Sequence, residues 1–190
     1  QIYFINQQIK EKNLNNIIAF KEDYNIFCSE NSKCNLNKYD RIIGIETIEH
    51  CLNIKSLFNW INKRLNKDGL LFIQSLVSQH NSYLLDNSNW MGRNFFSGGQ
   101  ILAFQSYLHY NNDLIVKQMI PINGSNYGKT LELWLSNLEN LKKDIIEKYG
   151  YSHYENFRMF YIQSLEAFYS HNGTNFMVGY YVLEKRINNE

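Results

Sequence analysis

The chain has 190 residues, enough for one compact domain with a sizeable core. Hydrophobic residues at 44% and aromatic residues at 15% exclude a disordered chain. The formal net charge is +1, with no long block of Lys or Arg, so there is no electrostatic footprint for nucleic acid.

The first predicted element is an amphipathic helix, because Ile2, Ile5 and Ile9 recur at helical spacing. Asn16 to Phe20 reads as a short buried strand, and Lys21 to Tyr39 as a polar loop with a turn at Glu30 to Lys33. Arg41 to Ile45 reads as a second buried strand. Ile54, Leu57, Phe58, Ile61 and Leu65 trace one helix face, and Lys67-Asp68-Gly69 is expected to stop that helix. Leu70 to Leu76 is a third continuous apolar run. Strand, helix, strand without polar alternation is the pattern of a parallel sheet covered on both faces.

The second half has a different pattern. A loop over Val77 to Ser97 leads to Gly98-Gly99 and a predicted helix through Leu108. Leu114 to Pro121 reads as a strand. One helix is expected from Lys129 to Tyr149, with Leu131, Trp134, Leu135, Leu138 and Leu141 on its apolar side. Another follows from Tyr154 to Ser170, carrying Phe157, Tyr161, Leu165 and Phe168. Asn172-Gly173 turns the chain into a last strand, Phe176 to Lys185. The three cysteines, Cys28, Cys34 and Cys51, show no C-x-x-C spacing, so neither a disulfide framework nor a metal site is expected. No apolar run has the length of a membrane span, and no secretory signal is visible. The expected compartment is reducing and cytoplasmic, although an organellar targeting segment lost on processing would leave no trace. A chain that opens on Gln1 suggests such processing or an incomplete sequence.

Ligands of open α/β sheets bind at the carboxyl ends of the strands. The densest candidate there is Ile45-Glu46-Thr47-Ile48-Glu49-His50, with two carboxylates and an imidazole directly after a strand. Such a cluster suits proton transfer. In a helix, Glu46, Glu49 and His50 would share one face. The same pattern also fits a solvated helix start, where the dipole favours Glu.

Tyr39-Asp40-Arg41-Ile42-Ile43-Gly44-Ile45-Glu46-Thr47-Ile48-Glu49-His50 resembles the Y-D-R-I-x-S-I-E-M-F-E-H segment of the plant coclaurine N-methyltransferases. These belong to the cyclopropane-fatty-acid-synthase family of S-adenosylmethionine-dependent methyltransferases. Three further segments resemble the same family in the same order. Trp90-Met91-Gly92-Arg93-Asn94-Phe95-Phe96-Ser97-Gly98-Gly99 is similar to W-M-x-R-x-F-F-T-G-G. Asn123-Gly124-Ser125-Asn126-Tyr127-Gly128-Lys129-Thr130, with Glu132 and Trp134, is similar to G-x-H-Y-x-R-T-x-E-E-W. Asn172-Gly173 with Phe176-Met177-Val178 is similar to N-N-G-E-E-W-M-V.

The resemblance implies a Rossmann-like class I methyltransferase sheet with a helical cap inserted before the last strand. It puts the family's first strands and glycine-rich loop upstream of Gln1. Residues 1–80 would be the cofactor side, 81–172 the substrate-side loop and cap, and 173–190 the final strand. It assigns Glu46, Glu49 and His50 to acid/base and substrate-orienting roles. Glu49 also falls on the glutamate that helps hold bicarbonate in the cyclopropane synthases, and Tyr127 on a tyrosine of that same site. Gln1, Asp23 and Glu46 are assigned to S-adenosylmethionine. Read without the resemblance, Tyr127 is equally a packed aromatic, Asp23 a loop acid and Gly98-Gly99 a turn. Gln74 departs from the family, which has a histidine after this strand. Gln hydrogen-bonds but is no base at neutral pH, which disfavours bicarbonate-dependent chemistry more than amine methylation.

The implied function is methyl transfer to a small amine or lipid-type nucleophile. A protein partner or a preceding segment would complete the cofactor site. The alternative is a degenerate, non-catalytic relative acting as a structural or interaction subunit.

Overall fold

The structure is a computed structural model that describes residues 1–29, 32, 38–96 and 98–186. The expected turn at Glu30 to Lys33, together with Cys34 and Ser97, falls on or beside positions outside that set. The chain forms two units, Gln1–Asn37 and Lys38–Glu190.

The first unit carries helix α1 (Ile2–Glu11) and a single turn, α2 (Tyr24–Phe27). The strand expected over Asn16 to Phe20 does not form, and Ile17, Ile18 and Phe20 are exposed. An apolar run becomes a strand only when a neighbour takes its backbone hydrogen bonds. No described residue of this unit lies in a strand. α1 appears as expected but buries none of its residues.

The second unit is built on one long strand. β1 (Tyr39–Ile45) is followed by α3 (Ile54–Arg64) and then β2 (Leu65–Ser78). β1 and β2 pair in parallel, from Arg41 opposite Leu70 to Ile45 opposite Gln74. Asn53 caps α3 by accepting the Ser56 N–H at 3.0 Å, as Asn does at helix starts. Ile54, Leu57, Phe58, Ile61 and Leu65 are all buried, as their spacing predicts. The helix ends earlier than expected. Leu65 already has extended backbone and opens β2, so Asn66 to Gly69 form a bulge, not a helix stop. Burial explains the difference, because Leu65 is fully enclosed and holds the chain where it enters the sheet.

The next segment was expected to be a loop and then a helix. It contains β3 (Tyr83–Leu85), α4 (Trp90–Asn94) and β4 (Gly99–Ala103), with a short 3-10 turn at Ser106–His109. β4 forms a strand because it has partners on both sides: β3 antiparallel, and the end of β2 in parallel at Val77 and Ser78. β5 (Leu114–Ile122) and β6 (Phe176–Lys185) match the expected strands. The order across the sheet is β3-β4-β2-β6-β5, with β1 also on β2. β6 runs antiparallel to both β2 and β5.

Three helices separate β5 from β6: α5 (Gly124–Asn140), α6 (Lys142–Tyr149) and α7 (Tyr151–Gly173). The single helix expected to Tyr149 therefore breaks at Leu141 and begins earlier, where Asn123 accepts the Ser125 N–H at 2.9 Å. Leu131 is buried as predicted, but Trp134 and Leu141 are about half exposed. Regular helical backbone in α7 ends before Ser170, and His171, Asn172 and Gly173 turn the chain with positive φ.

The core lies on one face of β2. Leu71, Ile73, Ser75 and Val77 are buried there with Tyr181 and Leu183 of β6, while Phe72, Gln74 and Leu76 on the opposite face are half-buried. β1 also departs from the expected double coverage, since Ile43 and Ile45 are exposed.

The junction between cap and sheet is tight at Gly124, where an added Cβ would sit 2.0 Å from the Phe176 carbonyl oxygen. That neighbour is backbone and cannot turn aside. Gly124→Ala is expected to lower stability by roughly 1–3 kcal/mol, as overpacking does, with a matching fall in the midpoint of urea denaturation.

Candidate active site

β1 ends where its pairing with β2 ends. The Glu46 N–H donates to the Gln74 carbonyl at 2.9 Å, and the chain then leaves the sheet. Glu46 makes that exit with φ +47°, a left-handed conformation uncommon outside glycine. The Thr47 hydroxyl donates to the Ile45 carbonyl at 2.7 Å, and Ile48–His50 form a 3-10 turn. Further along the same edge of β2, β4 takes over the pairing at Val77. The segment from Glu46 to Cys51 therefore occupies the gap between two strands that share one edge. Gln100 of β4 ties down its far end by donating to the Cys51 carbonyl at 2.7 Å.

This geometry brings the two carboxyls together without the α-helix that their spacing suggested. Gln74 Nε2 donates to Glu46 Oε1 at 3.1 Å, and Ser75 Oγ donates to Glu49 Oε2 at 3.3 Å. Glu46 and Glu49 also lie within hydrogen-bonding reach of each other. Glu49 is buried, Glu46 half-buried and His50 exposed at the rim. Burial raises the Glu46 ionisation to about 7, further raised by the Glu49 charge and opposed by the Gln74 hydrogen bond. Burial also holds Glu49 above the usual carboxylate range, while hydrogen bonds from its own backbone N–H, Glu46, Ser75 and the Thr47 backbone oppose the shift. The charge on each disfavours ionisation of the other, so the two carboxyls titrate as a pair and not as independent acids.

Tyr127 of α5 lies within electrostatic range of the pair. Its ring packs on Phe168 at 4.7 Å and edge-on to Trp134 at 6.2 Å. Its hydroxyl holds its proton more tightly than usual, through burial first and then the charges of Glu46 and Glu49. An aromatic wall extends from there: Trp134 lies 6.2 Å from Tyr161, and Phe95 stacks on Phe160 at 4.5 Å. Gln1 and Asp23 lie in the first unit. Gln1 precedes α1, and its carbonyl accepts the Ile5 N–H at 3.0 Å. Asp23 caps α2, its Oδ1 accepting the Asn25 N–H at 2.9 Å.

Sequence reasoning missed two contributors. Ser75 interrupts the buried face Leu71, Ile73, Val77, and a polar residue at a core position of a strand is the signal that would have found it. Gln74 was read only as a departure from the family, but its amide steadies Glu46. A separate cavity of about 630 Å³, lined in part by His80, His109 and Thr174, opens beyond the end of β2 and includes neither carboxyl.

The raised ionisation of Glu46 makes stability depend on pH. Between the ordinary value of 4.5 and about 7, the native state binds more protons than the unfolded chain. Stability therefore falls as pH rises through that window, and Glu49 contributes with the same sign. Glu46→Gln should flatten this part of the profile in a series of urea denaturations, and an unchanged slope would count against the raised ionisation of Glu46.

The description "mycolic acid cyclopropane synthetase" belongs to a family model that matches residues 5–177. The (S)-coclaurine N-methyltransferase of Thalictrum flavum subsp. glaucum is 24% identical over 96% of this chain and 53% of its own length. The (S)-tetrahydroprotoberberine N-methyltransferase of Eschscholzia californica is 26% identical over 98% of this chain and 55% of its own length. The chain thus spans about half the length of the curated relatives it matches. Among solved structures, coclaurine N-methyltransferase bound to N-methylheliamine and SAH gives a TM-score of 0.80 at 24% identity, over 96% of this chain and 55% of that one. The cyclopropane synthase MmaA2 of Mycobacterium tuberculosis gives 0.67 at 18% identity, over 79% and 56%. These likenesses establish the class I methyltransferase fold with its cap before the last strand. The family model covers most of the described sheet and the cap, and the chain belongs to the mycolic acid cyclopropane synthetase family.

Proposed function

We propose that the chain forms the substrate-facing part of an S-adenosylmethionine-dependent methyltransferase that acts on a small amine. The observation that carries this reading is the Glu46–Glu49 pair, held on Gln74 and Ser75 and facing Tyr127 of the cap. S-adenosylmethionine supplies a methyl group on a sulfonium. Glu46, at the carboxyl end of β1, and Asp23, whose second carboxylate oxygen can accept from an adenine amino group, have acceptor chemistry that suits it. A preceding segment or a partner chain would supply the rest of the cofactor site. Residues 1–80 then serve the cofactor side, 81–172 the substrate side and 173–190 the final strand.

Most amines are protonated near neutral pH and lack the lone pair that attacks a methyl group. In the proposed step Glu49 takes that proton, and the nitrogen lone pair becomes the nucleophile. Glu46, keeping its own proton between the carboxyls, leaves Glu49 as the base and orients the substrate through its remaining oxygen. His50, exposed at the rim, passes the proton to solvent. Tyr127, Trp134 and Tyr161 offer ring faces to a cationic or aromatic amine. Gln74 has no basic nitrogen, so the arrangement favours amine methylation over bicarbonate-assisted chemistry on a lipid alkene.

The test is transfer of a labelled methyl group from S-adenosylmethionine to a panel of small amines, using the protein isolated from its source. Glu49→Gln should lower kcat by about 10²–10⁴, the usual worth of a positioned acid or base, with a smaller change in KM. Transfer to lipid alone would reject the amine reading. No transfer to any acceptor would favour a structural or interaction subunit.

A further inference from the structure

Gln74 is the last residue of β2 that pairs with β1, where it stands opposite Ile45. It holds Glu46 twice. Its carbonyl accepts the Glu46 N–H at 2.9 Å, and its side-chain Nε2 donates to Glu46 Oε1 at 3.1 Å. Paired residues point to the same face of a sheet and successive residues to opposite faces, so an extended Glu46 would point away from Gln74. The left-handed turn at Glu46, with φ +47°, brings its carboxyl back onto the amide. An uncommon backbone conformation is thus matched to one side-chain hydrogen bond.

A protonated carboxyl has one O–H and one oxygen that still accepts. An N–H donor placed on one oxygen therefore leaves the other to carry the proton. We propose that Gln74 is the positioning residue of the carboxyl pair: its amide occupies Glu46 Oε1 with Glu46 ionised or protonated, so that a proton on Glu46 sits on Oε2 and the side chain keeps its place as that proton comes and goes. Gln74 acts on an acceptor amine only through Glu46. The inference rests on the reading of Glu46 and Glu49 as the acid/base pair.

The chemistry of an amide suits this role. It donates without charge, so it orients Glu46 without neutralising it, and it does not itself titrate. An imidazole in its place would exchange a proton near neutral pH, and an ammonium would pair with the carboxylate. The titratable groups around Glu46 are Glu49 and His50 on the same turn, Tyr127 from α5 and Tyr107 from the 3-10 turn at Ser106–His109. Tyr180 of β6 stands opposite Gln74 in register. β4, which packs against the turn, contributes none, its residues being Gly, Gln, Ile, Leu and Ala.

The test follows the Glu46 side-chain carboxyl by ¹³C NMR and infrared difference spectroscopy through a pH titration of the 190-residue chain. Gln74→Met retains the length of the side chain and removes the amide. It should move the Glu46 midpoint upward by about half a pH unit or more, because the lost hydrogen bond favours the charged form. It should also move the carbonyl stretch of protonated Glu46 to higher frequency, because Oε1 loses its donor. Gln100→Met removes a hydrogen bond from the far end of the same turn and should leave both readings in place. An unmoved midpoint or frequency in Gln74→Met, or an equal movement in Gln100→Met, would overturn the proposal. If Gln74→Met does not fold, the unaltered chain decides: a Gln74 side-chain amide proton should shift with the Glu46 titration, and an amide that does not respond would overturn the proposal. A midpoint and frequency that move as stated while Glu49→Gln leaves methyl transfer intact would uphold the role of Gln74 and reject the catalytic reading.

Discussion

The site depends on how one edge of β2 is shared. β1 pairs along that edge as far as Gln74, and β4 takes over at Val77. Backbone groups in a sheet require partners, so the chain between the two strands has to leave the sheet and be held from elsewhere. Glu46 leaves with a left-handed turn, and Gln100 holds Cys51 at the far end. The carboxyl pair therefore sits at a break in strand pairing, directly over the β2 side chains that face the break. Gln74 and Ser75 are consecutive and point to opposite faces of the sheet, yet each reaches one of the carboxyls.

Burial then sets the chemistry. Two carboxylates in a partly enclosed place cannot both ionise readily, since each charge disfavours the other and water is partly excluded. Hydrogen bonds divide their roles. Glu49 accepts from Ser75 and Glu46 accepts from Gln74, while burial raises the ionisation of both. The cap completes the surroundings. Its junction with the sheet at Gly124 fixes the start of α5, and Tyr127 lies on the first turn of that helix.

Much of the second unit was legible in the sequence, because β1, α3, β2, β5 and β6 are long enough for apolar runs or helical spacing to show. β3 and β4 were not. Tyr83 and Leu84 are exposed, and three to five residues give no periodicity. Asn16 to Phe20 shows the opposite failure, an apolar run with no strand beside it among the described residues of its unit. Glu46, Glu49 and His50 stood out by type and spacing, although the 3-10 turn that joins them was not foreseen. Ser75 offers only a faint local signal, a serine at a buried strand position, because its partner Glu49 lies on another element and spacing along the chain does not encode that contact.

The raised ionisation of the Glu46–Glu49 pair is the claim on which the functional reading stands, and infrared difference spectroscopy on chain with ¹³C-labelled glutamate tests it most directly. The account predicts one protonated glutamate carboxyl that persists well above the ordinary value of 4.5 and ionises with a midpoint near about 7. The band should be absent in Glu46→Gln. A spectrum in which every glutamate ionises in the ordinary carboxylate range would contradict the account, because Glu46 and Glu49 would then be two independent surface acids.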